Sequence, residues 1–187
     1  MKSITKKLMA SAVSAVLSLT AVVAFAAPAA PVLAATNNPR PSYSVNYRDD
    51  MRMYELKKEE GVKFLQNCVS NPSPAAVALT NEYVWEIYSH PYDISKTLDQ
   101  NINELVRYVN NVYKNIQRVD NTSKFEAYKT AKLNYLYSLA DSEEDYELVD
   151  YVAYAFSYIT YDSSTTLEIV EGHIDQLTAI AERELLK

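Results

Sequence analysis

Residues 98–119 read LDQNINELVRYVNNVYKNIQRV, and this stretch decides the fold class. Leu98, Ile102, Leu105, Val109, Val112, Ile116 and Val119 alternate spacings of four and three without a miss. That is the period of a helix burying one stripe. Thr97 with Gln100 forms a capping box at its start. Downstream, Asp120-Asn121-Thr122-Ser123 reads as a break. Ser123 with Glu126 then opens a helix carrying Phe125, Tyr128, Ala131, Tyr135, Leu136 and Leu139. Asp141 with Glu144 opens the next, whose core side is Val149, Val152, Phe156 and Ile159. Thr165 with Glu168 opens the last, with Leu167, Val170, Ile174, Leu177 and Ala181.

Upstream, a first helix runs from about Val45 to Val69, with Tyr47, Met51, Tyr54, Phe64, Leu65 and Cys68 on its apolar side and Gly61 weakening its middle. Ser73 is a natural N-cap, and Pro74 suits the first helical position of a second helix carrying Val77, Thr80, Val84, Ile87 and Tyr88. That helix ends before His90-Pro91. Only Gly61 and Gly172 occur, where average usage is about 7%. Glycine supplies the positive φ of hairpins and phosphate loops, so those structures are disfavoured together. Short connections make sequential helices antiparallel neighbours. The expected fold is an all-α, up-and-down bundle of five or six helices, a single domain over 45–187, with the third helix as its central seam. No equal-period repeat is visible, which argues against a solenoid.

Ahead of that domain, Lys2, Lys6 and Lys7 precede an apolar run from Leu8 to Ala27, then Pro28, Pro31 and Val32-Leu33-Ala34-Ala35. This is the layout of a cleaved secretory signal peptide over 1–35, followed by a flexible Pro/Asn linker over 36–44. The competing reading is a retained anchor, since a span needs roughly 20 apolar residues. The Ala and Ser content and the small-residue exit favour cleavage. The expected location is secreted, extracellular or periplasmic, in a bacterial host, with no membrane contact after cleavage. Losing the three leader lysines, with no acids among them, moves the net charge from −6 to −9. Such a chain is repelled by nucleic acid and anionic lipid. The one cysteine, Cys68, forms no intrachain bridge, so stability must come from an ordinary core, where Cys68 itself reads as a small hydrophobe.

Sixteen tyrosines stand against four phenylalanines and one tryptophan. Tyr151, Tyr154, Tyr158 and Tyr161 recur at three, four and three, and Tyr83, Tyr88 and Tyr92 gather around Trp85. Tyrosines commonly flank a core with rings buried and hydroxyls wet. They are also enriched in contact surfaces because two torsions fix a large area. The stripe of four is therefore the candidate partner-binding face, for a protein or a glycan.

Metal chemistry has little footing. Glu86 and His90 share one helix face, but Glu171, His173 and Asp175 splay around theirs, and no Glu-x-x-His pair occurs. The acidic run Asp141–Asp145 lacks the central glycine of a calcium loop. No nucleophile elbow, Walker loop, zinc-protease motif or dinucleotide fingerprint occurs. Asp145-Tyr146-Glu147 with Tyr158-Ile159-Thr160-Tyr161-Asp162 is similar to the helix before the active site in transglutaminase-like cysteine protease folds. Those enzymes need a downstream Cys, and none follows Cys68. The expectation is a binding protein without catalytic residues, metal or cofactor. The alternatives are an exported hydrolase of cell-wall or carbohydrate substrates, with paired carboxylates roughly 5–9.5 Å apart, and a surface protein that self-assembles through the stripe as a homo-oligomer. Expressed in a bacterium with its leader, the chain should yield an exported product whose N-terminal sequencing begins at Ala35 or Thr36; an intact leader on that product would overturn the cleavage reading.

Overall fold

The protein, seen in a computed structural model, is described over residues 47–187. The expected signal peptide (1–35) and linker (36–44) lie outside the described residues. Five helices follow one another: α1 Tyr47–Asn67, α2 Pro74–Ser89, α3 Leu98–Leu139, α4 Glu143–Ser157 and α5 Leu167–Leu185, with no strand among the described residues. The chain is all-α, as the periodicity predicts. No helix among the described residues is long and apolar enough to cross a membrane.

The described residues divide into two compact units, 47–120 and 121–187, both inside the expected domain. In the first, α1, α2 and the opening half of α3 enclose Tyr54, Leu65, Ile87, Leu105, Val109 and Ile116. The helix-period stripe of residues 98–119 thus points into this core. Gly61 is buried against it, and a Cβ there would meet Val109 Cγ2 at 3.1 Å. Its helix-weakening cost is offset by the close approach of α1 to α3. In the second unit, the rest of α3 with α4 and α5 encloses Phe125, Leu136, Val152, Phe156, Ile174 and Leu177.

The expected break at Asp120–Ser123 is absent; α3 runs unbroken for 42 residues. Asp and Asn break helices when their side chains compete for the local backbone. Here both are engaged elsewhere. The buried Asp120 carboxylate accepts the Ser73 N–H at 2.7 Å, and the Asn121 amide donates to the Tyr161 hydroxyl at 2.8 Å. The Ser123–Glu126 pair consequently caps nothing.

The other caps differ in register. Thr97 and Gln100 bond reciprocally, the Thr97 N–H to the Gln100 side chain at 2.9 Å and the Gln100 N–H to Thr97 Oγ1 at 3.3 Å. Ser73 caps α2 through the Ala76 N–H at 3.3 Å, with Pro74 at the first helical position. The box at α4 is Ser142 with Asp145, one residue beyond the predicted Asp141–Glu144. At α5 the N-cap is Thr166 rather than Thr165, and its side chain makes no capping bond. Three residues on stands Ile169, which offers no acceptor to complete a box.

The two units repeat one plan, a relation invisible to a search for equal-period hydrophobicity. Tyr92-Asp93-Ile94-Ser95-Lys96-Thr97-Leu98 returns as Tyr161-Asp162-Ser163-Ser164-Thr165-Thr166-Leu167, 69 residues later. Each Asp carboxylate accepts the N–H and hydroxyl of the Ser two residues on, and each leads into the last helix of its unit. In the first helical segment of each unit, Tyr54-Glu55-x-x-Lys58 returns as Phe125-Glu126-x-x-Lys129, 71 residues later.

Both lysines are buried. Lys58 Nζ donates to Glu55 at 2.9 Å and to the Tyr88 carbonyl at 3.0 Å, over the Tyr54 ring. Lys129 Nζ pairs with Glu126 at 2.7 Å and donates to the Phe156 and Ile159 carbonyls at 3.4 and 3.2 Å, over the Phe125 ring. Each ammonium satisfies carbonyls left open where the second helix of its unit ends. Lys129→Met should therefore cost about 1–3 kcal/mol in denaturant unfolding, by leaving buried acceptors unpaired. Lys58→Met should behave alike, and neutrality of both would contradict this role.

Candidate functional site

The site is built on α4. Its Val149, Val152, Ala155 and Phe156 face the core, so helical geometry turns the tyrosines at 151 and 154 outward. Tyr151, Tyr154 and Tyr158 are 37%, 62% and 55% exposed. The Tyr154 and Tyr158 rings meet edge to face with centroids 5.0 Å apart, and their hydroxyls hydrogen-bond to each other. That bond, more than desolvation, holds the Tyr158 phenol above its ordinary value. Tyr161 does not join this surface. The helix ends at Ser157, and Tyr161 lies half-buried against the core with its hydroxyl accepting from Asn121.

Around this face, Asp150 accepts the Tyr137 hydroxyl at 2.5 Å, and Tyr137 stacks on Tyr146 with centroids 6.4 Å apart. Tyr–carboxylate pairs of this kind recur through the chain. Tyr128 donates to Asp175 at 2.6 Å, Tyr135 to Glu182 and Tyr108 to Glu86. Comparison with known families, curated proteins and solved structures finds no match. Function has to be read from the chemistry of the chain's own residues.

An open groove of about 460 Å³ runs between α3 and α5 in the second unit, walled by Lys132, Tyr135, Asp175 and Glu182. Its acids are already engaged. Lys132 lies 2.6 Å from Asp175, and the lysine with the Tyr128 hydroxyl holds that carboxyl below the usual range. The carboxyl groups that shift, Asp93, Asp145, Asp162 and Asp175, all shift downward. A glycosidase general acid needs the opposite shift.

The remaining candidates have structural partners. His90 is the C-cap residue of α2, with Nδ1 at 2.7 Å from the Tyr54 hydroxyl. Among the described residues, no group of three His, Cys, Asp or Glu side chains could hold an ion. Cys68 is half-buried and its thiol donates to the Leu65 carbonyl at 3.0 Å, while burial pushes the thiol away from thiolate formation. Asp145, in the calcium-like run, closes the α4 capping box.

What the tyrosine stripe missed is Trp85, the most exposed aromatic of the first unit at 77%. The sequence signal was present, since Ile87 sets the buried side of α2 and Trp85 lies off it. For the α4 face, the raised Tyr158 value means that its hydroxyl bond is intact below the ordinary phenol range near 10 and lost as pH rises through the folded value. Tyr154→Phe should move one tyrosine's titration, followed by ultraviolet absorbance, down toward about 10. An unchanged curve would show that the pair does not form.

Proposed function

We propose that this chain is an exported, non-catalytic binding protein whose contact face is the exposed tyrosine surface of α4, and that its helices form an up-and-down bundle. The carrying observation is the exposure of Tyr151, Tyr154 and Tyr158 on the side of α4 opposite its buried residues. Most other tyrosines hide their rings or commit their hydroxyls to acids. These three instead offer large, rigid rings to solvent, the property that makes tyrosine favoured in recognition surfaces. The secretory layout of residues 1–35 supports a place outside the cytoplasm, secreted or periplasmic. The partner proposed is a protein or glycan there.

Changing Tyr151, Tyr154 and Tyr158 together to Ser should abolish retention of that partner on the immobilised chain, while circular dichroism shows unchanged helicity. The positions are exposed, so each substitution should alter stability by no more than about 0.5 kcal/mol. Retention that survives the triple change would remove the face from the binding role. A light-scattering mass of twice the chain that falls to the monomer in the triple variant would assign the face to self-association instead.

A further inference from the structure

The repeat of the two units extends to their second helices. In the 69-residue register set by the Tyr-Asp-x-Ser-x-Thr-Leu turns, α2 and α4 place Trp85 opposite Tyr154. Glu82 falls at Tyr151, and Ser89 at Tyr158. All six are exposed, while Ile87 and Phe156, one such pair, are both buried. The same helix of each unit therefore turns an aromatic ring to solvent at the same position. Trp85 at 77% and Tyr154 at 62% exposure are the extreme cases in their helices.

Charge is shared too. Residues 74–89 contain Glu82 and Glu86, and residues 143–157 contain Glu143, Glu144, Asp145, Glu147 and Asp150. Neither segment contains a Lys or Arg. The lysines of the fold lie on other elements, and Lys58 and Lys129 are turned inward. A face of exposed rings and carboxylates without cations attracts positive charge. A cation over an exposed ring gains about 0.5–1 kcal/mol, and the carboxylates steer it there at low salt. Anionic partners are repelled. A neutral sugar would stack on the rings but leave the carboxylates unused.

We propose that the chain carries two equivalent binding sites, one at Trp85 on α2 and one at Tyr154 on α4, each recognising a lysine- or arginine-rich polypeptide segment. This rests on the reading of the α4 tyrosine surface as a contact face. It adds a second copy of that face and a partner chemistry.

Tetralysine titrated into the full chain by calorimetry at about 20 mM salt, where the Debye length exceeds 20 Å, tests it. Two equivalents should bind, falling to one in Trp85→Ala and to one in Tyr154→Ala, with none in the double variant. Trp85→Phe, which keeps the ring, should retain two. Binding should weaken as salt rises to about 0.15 M, where charges are screened beyond about 8 Å. As the sole tryptophan, Trp85 should also report by fluorescence the site that remains in Tyr154→Ala.

Loss with Tyr154→Ala alone would overturn the second site and leave the α4 face standing. Indifference to both substitutions, or no heat at all, would overturn the basic partner and both sites. In that case the triple-Ser retention experiment decides the α4 face separately. Binding of neutral N-acetylglucosamine oligomers in place of tetralysine would overturn the basic partner and assign the rings to a glycan.

Discussion

Each unit depends on one buried ammonium. Carbonyls at the end of a helix have no partner within it, and in a core they cannot turn to water. Lys58 and Lys129 reach them from the preceding helical segment, each with a glutamate three residues earlier at its side and an aromatic ring beneath. A buried ammonium is costly unless its protons are used. Here the glutamate supplies charge and the carbonyls supply acceptors. The arrangement ties the second helix to the first at one point and fixes where that helix can stop.

The tyrosine excess and the acid excess largely serve a single device. Tyr54 and Tyr113 are buried outright. Tyr108, Tyr128, Tyr135 and Tyr137 each reach an aspartate or glutamate with the hydroxyl. A ring can then cover the core while its polar tip ends on a carboxylate at the rim, which suits helices with many acids and few glycines. Subtracting these from the composition leaves Tyr151, Tyr154 and Tyr158 as rings whose exposure the core does not explain.

Helical class and core stripes were legible because they depend on spacing alone. Ile102, Leu105, Val109, Val112 and Ile116 are all buried, as are Val149, Val152, Phe156 and Ile159. Boundaries failed where a side chain had a distant partner that local sequence cannot show. Asp120 looks like a breaker until Ser73 is brought beside it, and Asn121 until Tyr161 is. Tyr161 looks like a fourth member of the stripe because periodicity does not reveal that α4 stops at Ser157. The repeat was hidden for a related reason. It lives in turn chemistry and in one buried aromatic–lysine pair, with registers of 69 and 71 residues, while the apolar residues between have drifted.

The differences between the units show which features of the plan are free to vary. Tyr54 and Phe125 fill equivalent buried positions, so the ring is what the core needs and the hydroxyl is an addition. That hydroxyl lies 2.7 Å from His90 Nδ1 and 3.2 Å from the Pro91 carbonyl. It has one proton, so both contacts are satisfied when His90 donates from Nδ1 and Tyr54 donates to Pro91. Burial, with Glu55 and Glu104 nearby, pushes the phenol up to about 12 and keeps that proton in place. At the corresponding positions the second unit has Ile159 and Thr160, and Ile159 joins the core directly. One unit closes the end of its second helix with a polar relay and the other with an aliphatic side chain. In both, the lysine beneath is the element that does not change.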